Sequence, residues 1–144
     1  SSDVCSSDLF VTGLQGDDPK YVKTVATPKH FAVHSGPELT RHVVDVRASK
    51  HDMEDTYLPA FRAAVLEAKA ESVMCAYNSD NSQPACANDY LLKDMLRGRW
   101  GFKGYVVSDC GAVGDIFEGH KFVDTMEKAS AVAVKMRQSG DWLE

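Results

Sequence analysis

Short apolar runs alternate with helix-like stretches along this chain of 144 residues, and this alternation limits its possible folds more than any other feature. Apolar residues at three- and four-residue spacing predict the helices. Three extended runs each precede one predicted helix: 21–33 before 53–68, 71–77 before 88–100, and 104–108 before 124–138. The extended runs lack strict polar alternation, which favours parallel strands buried on both faces and joined by helical crossovers. The sequence therefore predicts an α/β fold, either a doubly wound open sheet or part of a β/α barrel.

Residues with special backbone preferences mark the predicted helix ends. Pro59 fits the first turn of a helix, so we expect a separate short helical turn just before it. Asn88 is the expected N-cap and Gly98 the expected stop of the second helix, and Thr125 is the expected cap of the third. The polar stretch 34–51 is predicted to be a loop.

Composition and motif spacing exclude several functional classes. The net charge of −5 without a basic run gives no reason to expect nucleic acid or anionic lipid as a partner. No apolar stretch reaches the roughly 18–20 residues that span a bilayer, so no membrane partner is expected. The glycines of 13–18 lack G-x-G-x-x-G spacing, and His30 and His34 do not lie on a predicted helix, so we expect neither a dinucleotide nor a metal cofactor. The remaining histidines are expected to be surface or loop residues: His42, His51 and His120.

Two of the four cysteines allow alternative interpretations. Cys75 and Cys86 flank one loop, and they either form a disulfide in an oxidising compartment or remain free buried thiols. No pair has C-x-x-C spacing, so a zinc or redox motif is not predicted.

The first nine residues, SSDVCSSDL, differ in character from the rest of the chain. They are serine-rich and show neither helical nor strand periodicity, and they resemble the translation of a sequencing-adapter remnant. We therefore expect a non-native leader over 1–9 and one domain over 10–144. A natural flexible arm is the alternative for 1–9.

Polar and ionisable side chains occur where the predicted strands end. The pairs are Lys29-His30, Tyr77-Asn78 and Ser108-Asp109. Because the carboxyl ends of parallel strands share one edge of a sheet, these side chains are expected to meet. Each alone has a structural alternative, namely a surface charge, a core histidine, a packed ring or a helix cap, but their coincidence predicts a site.

The chemistry of these groups suits a polyhydroxylated substrate. Lys29 and His30 can donate hydrogen bonds to sugar hydroxyls, and a charged donor strengthens such bonds. A nearby ammonium group also keeps a carboxylate ionised and nucleophilic. The sequence thus favours Asp109 as a nucleophile that attacks a sugar.

Five blocks of the sequence carry a resemblance to a known family: KHFAVHSGPELTRH, DMEDTYLPAFRAAV, SVMCAYNSDNSQPACAN, LLKDMLRGRWGFKGYVVSDCGAV and DIFEGH. Together, over about 20–135, they resemble the family 3 glycoside hydrolases, and more closely the β-xylosidase/β-glucosidase branch. The resemblance implies an N-terminal (β/α)₈ TIM barrel, usually followed by an α/β sandwich domain. A full barrel takes roughly 250 residues, so we expect 10–144 to be a partial barrel domain with about three consecutive parallel βα units.

The resemblance also implies roles for individual residues. Asp109 occupies the position of the family's nucleophile, in a Ser-Asp pair that ends a barrel strand. Lys29 and His30 match the pair that holds the sugar in the −1 subsite, and Tyr77 matches a tyrosine near the nucleophile. Two further residues are expected to approach the substrate: Met74 in the second strand and Arg41 in the SGPELTRH loop. Cys110 stands where many members have tryptophan, a departure that bears on substrate preference.

The implied activity is the hydrolysis of O-glycosyl bonds by a retaining, exo-acting β-glycosidase. Such a β-xylosidase or β-glucosidase releases terminal sugars from oligosaccharides or from aryl and alkyl β-glycosides. Retention needs a second carboxyl group about 5–5.5 Å from the nucleophile, and we expect a glutamate of a missing second domain to supply it as the acid/base. The fragment alone is therefore expected to be inactive. The alternatives are a non-catalytic truncated or sugar-binding barrel fragment and, third, a doubly wound nucleotide-binding protein.

Overall fold

The computed structural model of the protein describes residues 2–137, with side chains described from residue 8 to residue 136. Five strands are assigned in this part of the chain: β1 (Asp45–Val46), β2 (Ser72–Cys75), β3 (Ser79–Asp80), β4 (Gln83–Pro84) and β5 (Tyr105–Ser108). The α-helices are α1 (Ser2–Gln15), α2 (Lys50–Asp52), α3 (Pro59–Leu66), α4 (Ala112–Phe117) and α5 (Met126–Arg137). The other helical segments are two 3₁₀ turns, Glu38–Thr40 and Ala85–Ala87, and two π-helices, Met53–Tyr57 and Tyr90–Arg99.

Two of the three predicted strands form, as β2 and β5, while the first extended run, 21–33, lies parallel beside them with only a one-residue bridge. Strands β2 and β5 pair in register from Ser72 opposite Tyr105 to Cys75 opposite Ser108. The first extended run joins the other side of β2 through a parallel bridge between Phe31 and Cys75. The Phe31 N–H donates to the carbonyl of Met74 over 2.8 Å, and the Ala76 N–H donates to the carbonyl of Phe31 over 3.0 Å. The predicted mixed α/β class is confirmed, and the carboxyl ends of all three runs meet at one edge.

A second small sheet, which the sequence did not predict, lies beyond this edge. Strand β1 pairs in parallel with β3, and β3 pairs antiparallel with β4. Asn81 and Ser82 connect β3 to β4 with positive φ angles of 51° and 67°, as a two-residue type I′ hairpin turn requires. The stretch 34–51 is a loop that also contains the 3₁₀ turn Glu38–Thr40, strand β1 and the first residues of α2, and β1 forms because β3 offers it backbone groups for pairing.

Helix boundaries agree with the sequence at three of four positions. Pro59 opens α3, and the Asn88 side chain accepts a hydrogen bond from the Leu91 N–H over 3.0 Å. The Thr125 hydroxyl likewise accepts from the Lys128 N–H over 3.3 Å. The expected stop at Gly98 is wrong, because the π-helix continues to Arg99. The glycine with left-handed backbone (φ 60°) is Gly101.

Apart from a small apolar cluster that includes Val11 of α1 and Ala64 of α3, the core lies between the main sheet and the helices around it. Its largest fully buried side chains include Phe31, Met53, Leu91, Met95 and Ile116. Of the two alternatives for the cysteine pair, the structure has the disulfide, with the Cα atoms of Cys75 and Cys86 5.2 Å apart. Both cysteines are buried, so the cross-link joins β2 to the 3₁₀ turn Ala85–Ala87 inside the core.

The amino-terminal segment is helical, although its sequence showed no periodicity. Helix α1 packs against α3, with Val11 buried beside Ala64. The Gln15 side chain donates to the carbonyl of Lys69 over 2.9 Å and accepts from the Glu71 N–H over 3.0 Å. These contacts hold the carboxyl-terminal end of α1, and the alternative of a natural flexible arm over 1–9 stays open. That residues 1–9 are a non-native leader stays a prediction.

Candidate active site

Asp109 follows β5 at the edge where the three parallel runs end. Its N–H donates to the carbonyl of Cys75 over 3.3 Å, which continues the β2–β5 pairing to this residue. The chain then turns through Gly111, whose φ of 81° favours glycine, and enters α4. The Asp109 side chain is 14% exposed, and its Oδ1 accepts from the Cys110 N–H over 2.8 Å. The carboxylate is therefore held by its own turn and faces the edge of the sheet.

His30 reaches this carboxylate from the first extended run. Its Nε2 lies 3.0 Å from Oδ2 of Asp109. Burial lowers the pKa of His30, and the neighbouring positive charges lower it further against the opposing pull of Asp109. A neutral imidazole at neutral pH donates its Nε2–H to Asp109, so the contact is a hydrogen bond rather than a full ion pair.

Tyr77 reaches the same carboxylate from the end of β2. Burial raises the pKa of its phenol, and the nearby Asp109 carboxylate raises this pKa further through hydrogen bonding and charge. The residue is 6% exposed, so the ring is fixed by its surroundings. Tyr77 therefore stays a neutral donor at neutral pH.

The other predicted site residues lie at different distances from this centre. The Arg41 guanidinium lies 4.9 Å from the centre of the Tyr77 ring and forms an ion pair with Glu38 at 2.6 Å. Lys29 is exposed, and its charge acts on His30. Lys29 also borders a groove of about 640 Å³ between α1 and α3. Met74 is half-buried in β2 opposite Val107. The structure thus brings His30, Tyr77, Asp109 and Arg41 together, with Lys29 and Met74 beside them.

Three further histidines belong to this cluster, and sequence reasoning gave none of them a part in it. The His34 ring lies 4.8 Å from that of His30, and the His42 ring lies 4.3 Å from that of Tyr77. His120 donates from Nε2 to the carbonyl of Tyr77 over 2.7 Å. His42 and His120 lie in loops, as expected, but both also contact this cluster. Their irregular loops carry no periodicity, so only the folded chain shows which residue each one meets.

The arrangement combines an acceptor carboxylate with several donors around it. The His30 imidazole and the Cys110 N–H contact the Asp109 carboxylate, the Tyr77 phenol interacts with it, and the Arg41 guanidinium lies against the phenol ring. Such a set can hold hydroxyl groups and offer one carboxylate oxygen to an electrophilic carbon. Among residues 8–136, whose side chains the structure describes, no group of three or more His, Cys, Asp and Glu residues is placed to hold a metal ion. Within the same range, no helix is long and apolar enough to cross a bilayer.

Comparison with known families identifies a match over most of the chain. The profile described as the glycosyl hydrolase family 3 N-terminal domain matches residues 5–138. The cluster at the end of β5 lies within this range.

Individual relatives and solved structures agree with the profile. A xylan 1,4-β-xylosidase of Xylanibacter ruminicola is 50% identical over 113 residues, which is 77% of this chain and 13% of the relative. A solved family 3 exo-β-xylosidase, in complex with a xylobiose aziridine activity-based probe, superposes with a TM-score of 0.89 at 34% identity, covering 93% of this chain and 18% of that one. A β-glucosidase from Erythrobacter marinus gives a TM-score of 0.85 at 31% identity, with the same coverage. The chain thus spans less than a fifth of the length of these proteins.

Proposed function

Because this chain belongs to glycosyl hydrolase family 3, we propose that it carries the nucleophile side of a retaining, exo-acting β-glycosidase. In the whole protein this site would release terminal sugars from oligosaccharides or from aryl and alkyl β-glycosides. The observation that carries the proposal is the convergence of His30 and Tyr77 on the Asp109 carboxylate.

In the first step, one Asp109 oxygen attacks the anomeric carbon of the terminal sugar. The bond from this oxygen to C1 forms while the bond from C1 to the leaving oxygen breaks, and an acid gives the leaving oxygen its proton. Hydrogen bonds from His30 and Tyr77 orient the carboxylate without consuming its attacking lone pair. The product of this step is an α-linked glycosyl ester of Asp109.

In the second step, water attacks the same carbon and the ester bond to Asp109 breaks. A base removes the proton from the water, so the free sugar leaves with its original β configuration. We propose that a glutamate of a second domain, outside this chain, is both the acid and the base. Glu38 is a carboxylate of this chain that could be considered for the acid/base role, but it forms an ion pair with Arg41 at 2.6 Å.

We further propose that this chain is part of a (β/α)₈ barrel and is inactive on its own. The parallel runs ending at 33, 77 and 108 would be three consecutive strands of a (β/α)₈ barrel. Without that acid/base, the 144 residues would not turn over a glycoside whose leaving group needs protonation.

A β-xyloside is the favoured substrate class, with a β-glucoside second. The relative with 50% identity is named a xylosidase, and the exo-β-xylosidase structure superposes with the higher of the two TM-scores. Both names describe those proteins, and they support the same class for the parent of this chain.

Covalent labelling tests the proposal on the chain itself. A 2-deoxy-2-fluoro-β-xylosyl fluoride needs no acid catalyst, because fluoride leaves without protonation. We expect the chain to gain the mass of one fluoroxylosyl group, which peptide mapping places on Asp109. Asp109→Asn should take up none, while the exposed carboxylate variant Asp55→Asn should label like the wild type.

Each other outcome counts against the proposal. A label on a different residue would reject Asp109 as the nucleophile. A folded chain that takes up no label but binds xylose would favour a non-catalytic sugar-binding fragment. Turnover of an aryl xyloside by the chain alone would reject the need for an external acid/base.

A further inference from the structure

We propose that Asp115, acting through His42, is a positioning residue for Arg41 and Tyr77 at this site. The inference rests on the proposed function, because it assigns a role toward the Asp109 nucleophile. Its evidence is a chain of contacts that runs from α4 to the phenol.

The hydrogen bonds of His42 fix its protonation pattern. Its Nδ1 lies 2.7 Å from Oδ2 of Asp115, and its Nε2 lies 3.0 Å from Nε of Arg41. The Arg41 Nε–H can only donate, so Nε2 of His42 must be the unprotonated acceptor. The proton of the neutral ring therefore sits on Nδ1 and is donated to Asp115. The carboxylate of Asp115 thus selects the tautomer that can receive Arg41.

Two of these linked groups also contact the Tyr77 ring. The centre of the His42 ring lies 4.3 Å from that of Tyr77, and the Arg41 guanidinium carbon lies 4.9 Å from it. A guanidinium at this distance from an aromatic ring is attracted to its face. Fixing His42 and Arg41 therefore restricts the ring whose hydroxyl contacts Asp109.

The end of α4 supports the same arrangement through the backbone. A Cβ atom on Gly119 would clash with the carbonyl oxygen of His42, so only glycine lets the two segments come this close. The next residue, His120, donates to the carbonyl of Tyr77. One short segment, 115–120, thus touches both His42 and Tyr77.

Without this support, Arg41 has a weaker basis for its position. The Arg41 and His42 side chains are 34% and 43% exposed, and the other ion partner of Arg41, Glu38, is 76% exposed. An exposed ion pair restrains long side chains poorly. The buried end of the chain of contacts is Asp115, whose side chain is 14% exposed.

Nitrogen NMR of the histidine rings tests the tautomer without any activity. At pH 8 we expect a pyrrole-like ¹⁵N signal at Nδ1 of His42 and a pyridine-like signal at Nε2. Asp115→Ala should convert this pattern to a mixture of tautomers, whereas Asp115→Asn keeps an acceptor oxygen and should preserve it. Asp55→Ala, at an exposed carboxylate, is the matched control and should leave the spectrum unchanged. A proton on Nε2 in the wild type, or no response to Asp115→Ala, would reject the inference.

The labelling rate tests the consequence for the site. Loss of one hydrogen bond in the chain should slow fluoroxylosyl labelling of Asp109 by about 2- to 10-fold in Asp115→Ala, and Asp115→Asn should restore most of the rate. His42→Phe keeps a ring beside Tyr77 but cannot accept a hydrogen bond from Arg41, so its labelling rate should fall as much as that of Asp115→Ala. If Asp115→Ala does not fold, the labelling rate of His42→Phe tests the inference in its place. Equal rates in all variants would overturn the inference and leave the proposed function standing. No labelling of the wild type would reject the proposed function, and the NMR result would still decide the tautomer.

Discussion

Two loops reach the edge around Asp109, and the protein holds them in opposite ways. The buried loop, 76–89, follows β2, contains the β3–β4 hairpin and is fastened by the Cys75–Cys86 disulfide. The exposed loop, 34–47, follows the first extended run and lies mostly in solvent. It contacts the rest of the chain through polar groups; for example, the Asp45 carboxylate accepts a hydrogen bond from the Ser82 N–H over 2.7 Å.

The difference shows how this edge of the sheet is built. Burial and a covalent link fix the part that carries Tyr77, whereas hydrogen bonds and ion pairs position Arg41. Changes in the buried loop should therefore alter the stability of the whole chain. Changes in the exposed loop should mainly alter the reactivity of Asp109 rather than the stability of the chain.

The largest effect is expected from removing the cross-link of the buried loop. Cys75→Ala with Cys86→Ala frees a loop whose ends are 11 residues apart, and should lower the free energy of unfolding by about 3 kcal/mol. Urea unfolding of the oxidised wild type and the double variant measures the difference. The exposed Cys110→Ala is the matched control and should cost little. Equal stability of the double variant and the wild type would mean that the buried loop is held by packing alone.

A smaller effect is expected at the start of the buried loop, where Tyr77 follows β2. Tyr77→Phe removes the hydroxyl that donates to Asp109, and a lost hydrogen bond of about 1 kcal/mol should slow fluoroxylosyl labelling about 5-fold. Because the ring stays in place, the unfolding free energy should change much less than in the cysteine double variant. Tyr105→Phe, at a half-exposed tyrosine of β5, serves as the comparison. Identical labelling rates in the two variants would remove Tyr77 from the set of residues that orient Asp109.

Acid should destabilise the chain through His30, which precedes the exposed loop. Burial lowers the pKa of His30, so the unfolded chain binds this proton at a higher pH than the folded one. The contribution of His30 to the free energy of unfolding is complete above the ordinary pKa of histidine, which applies to the unfolded chain. This contribution is lost as the pH falls from that pKa toward the lowered pKa of the folded chain. Melting temperatures between pH 8 and pH 5 should therefore fall less in His30→Gln, which keeps a donor toward Asp109, than in the wild type. Parallel pH profiles for the two proteins would contradict this assignment.

The smallest effect is expected within the exposed loop. Leu39 is 97% exposed, and Leu39→Ala should change the unfolding free energy by no more than about 0.5 kcal/mol. Denaturant unfolding measures this, with labelling of Asp109 as the second readout. A loss of several kcal/mol would show that this loop is packed like the buried one, and the contrast between the two would fail.

The sequence predicted those features that depend on local pattern and strand order. Apolar runs located the parallel strands, and the polar residues at their ends met at one edge because parallel strands share their direction. Pro59 and Asn88 marked helix starts correctly, since ring geometry and side-chain capping act within one turn. The family resemblance supplied the role proposed for Asp109.

Other features depend on contacts between distant segments, and local pattern does not contain them. His42 meets Asp115, 73 positions away, only after the exposed loop folds over α4. Strand β1 exists because β3 pairs with it, and its two residues are too short for a periodic signal. Helix α1 likewise gains its order from packing on α3 rather than from its own serine-rich sequence.

A crystal structure of the chain after reaction with 2-deoxy-2-fluoro-β-xylosyl fluoride would reveal the attacking residue itself. The account predicts continuous density from a carboxylate oxygen of Asp109 to C1 of an α-linked sugar, with His30 and Tyr77 in hydrogen-bonding contact with the ester or with the sugar. Density for the sugar on another residue, or an Asp109 side chain turned away from both His30 and Tyr77, would contradict it.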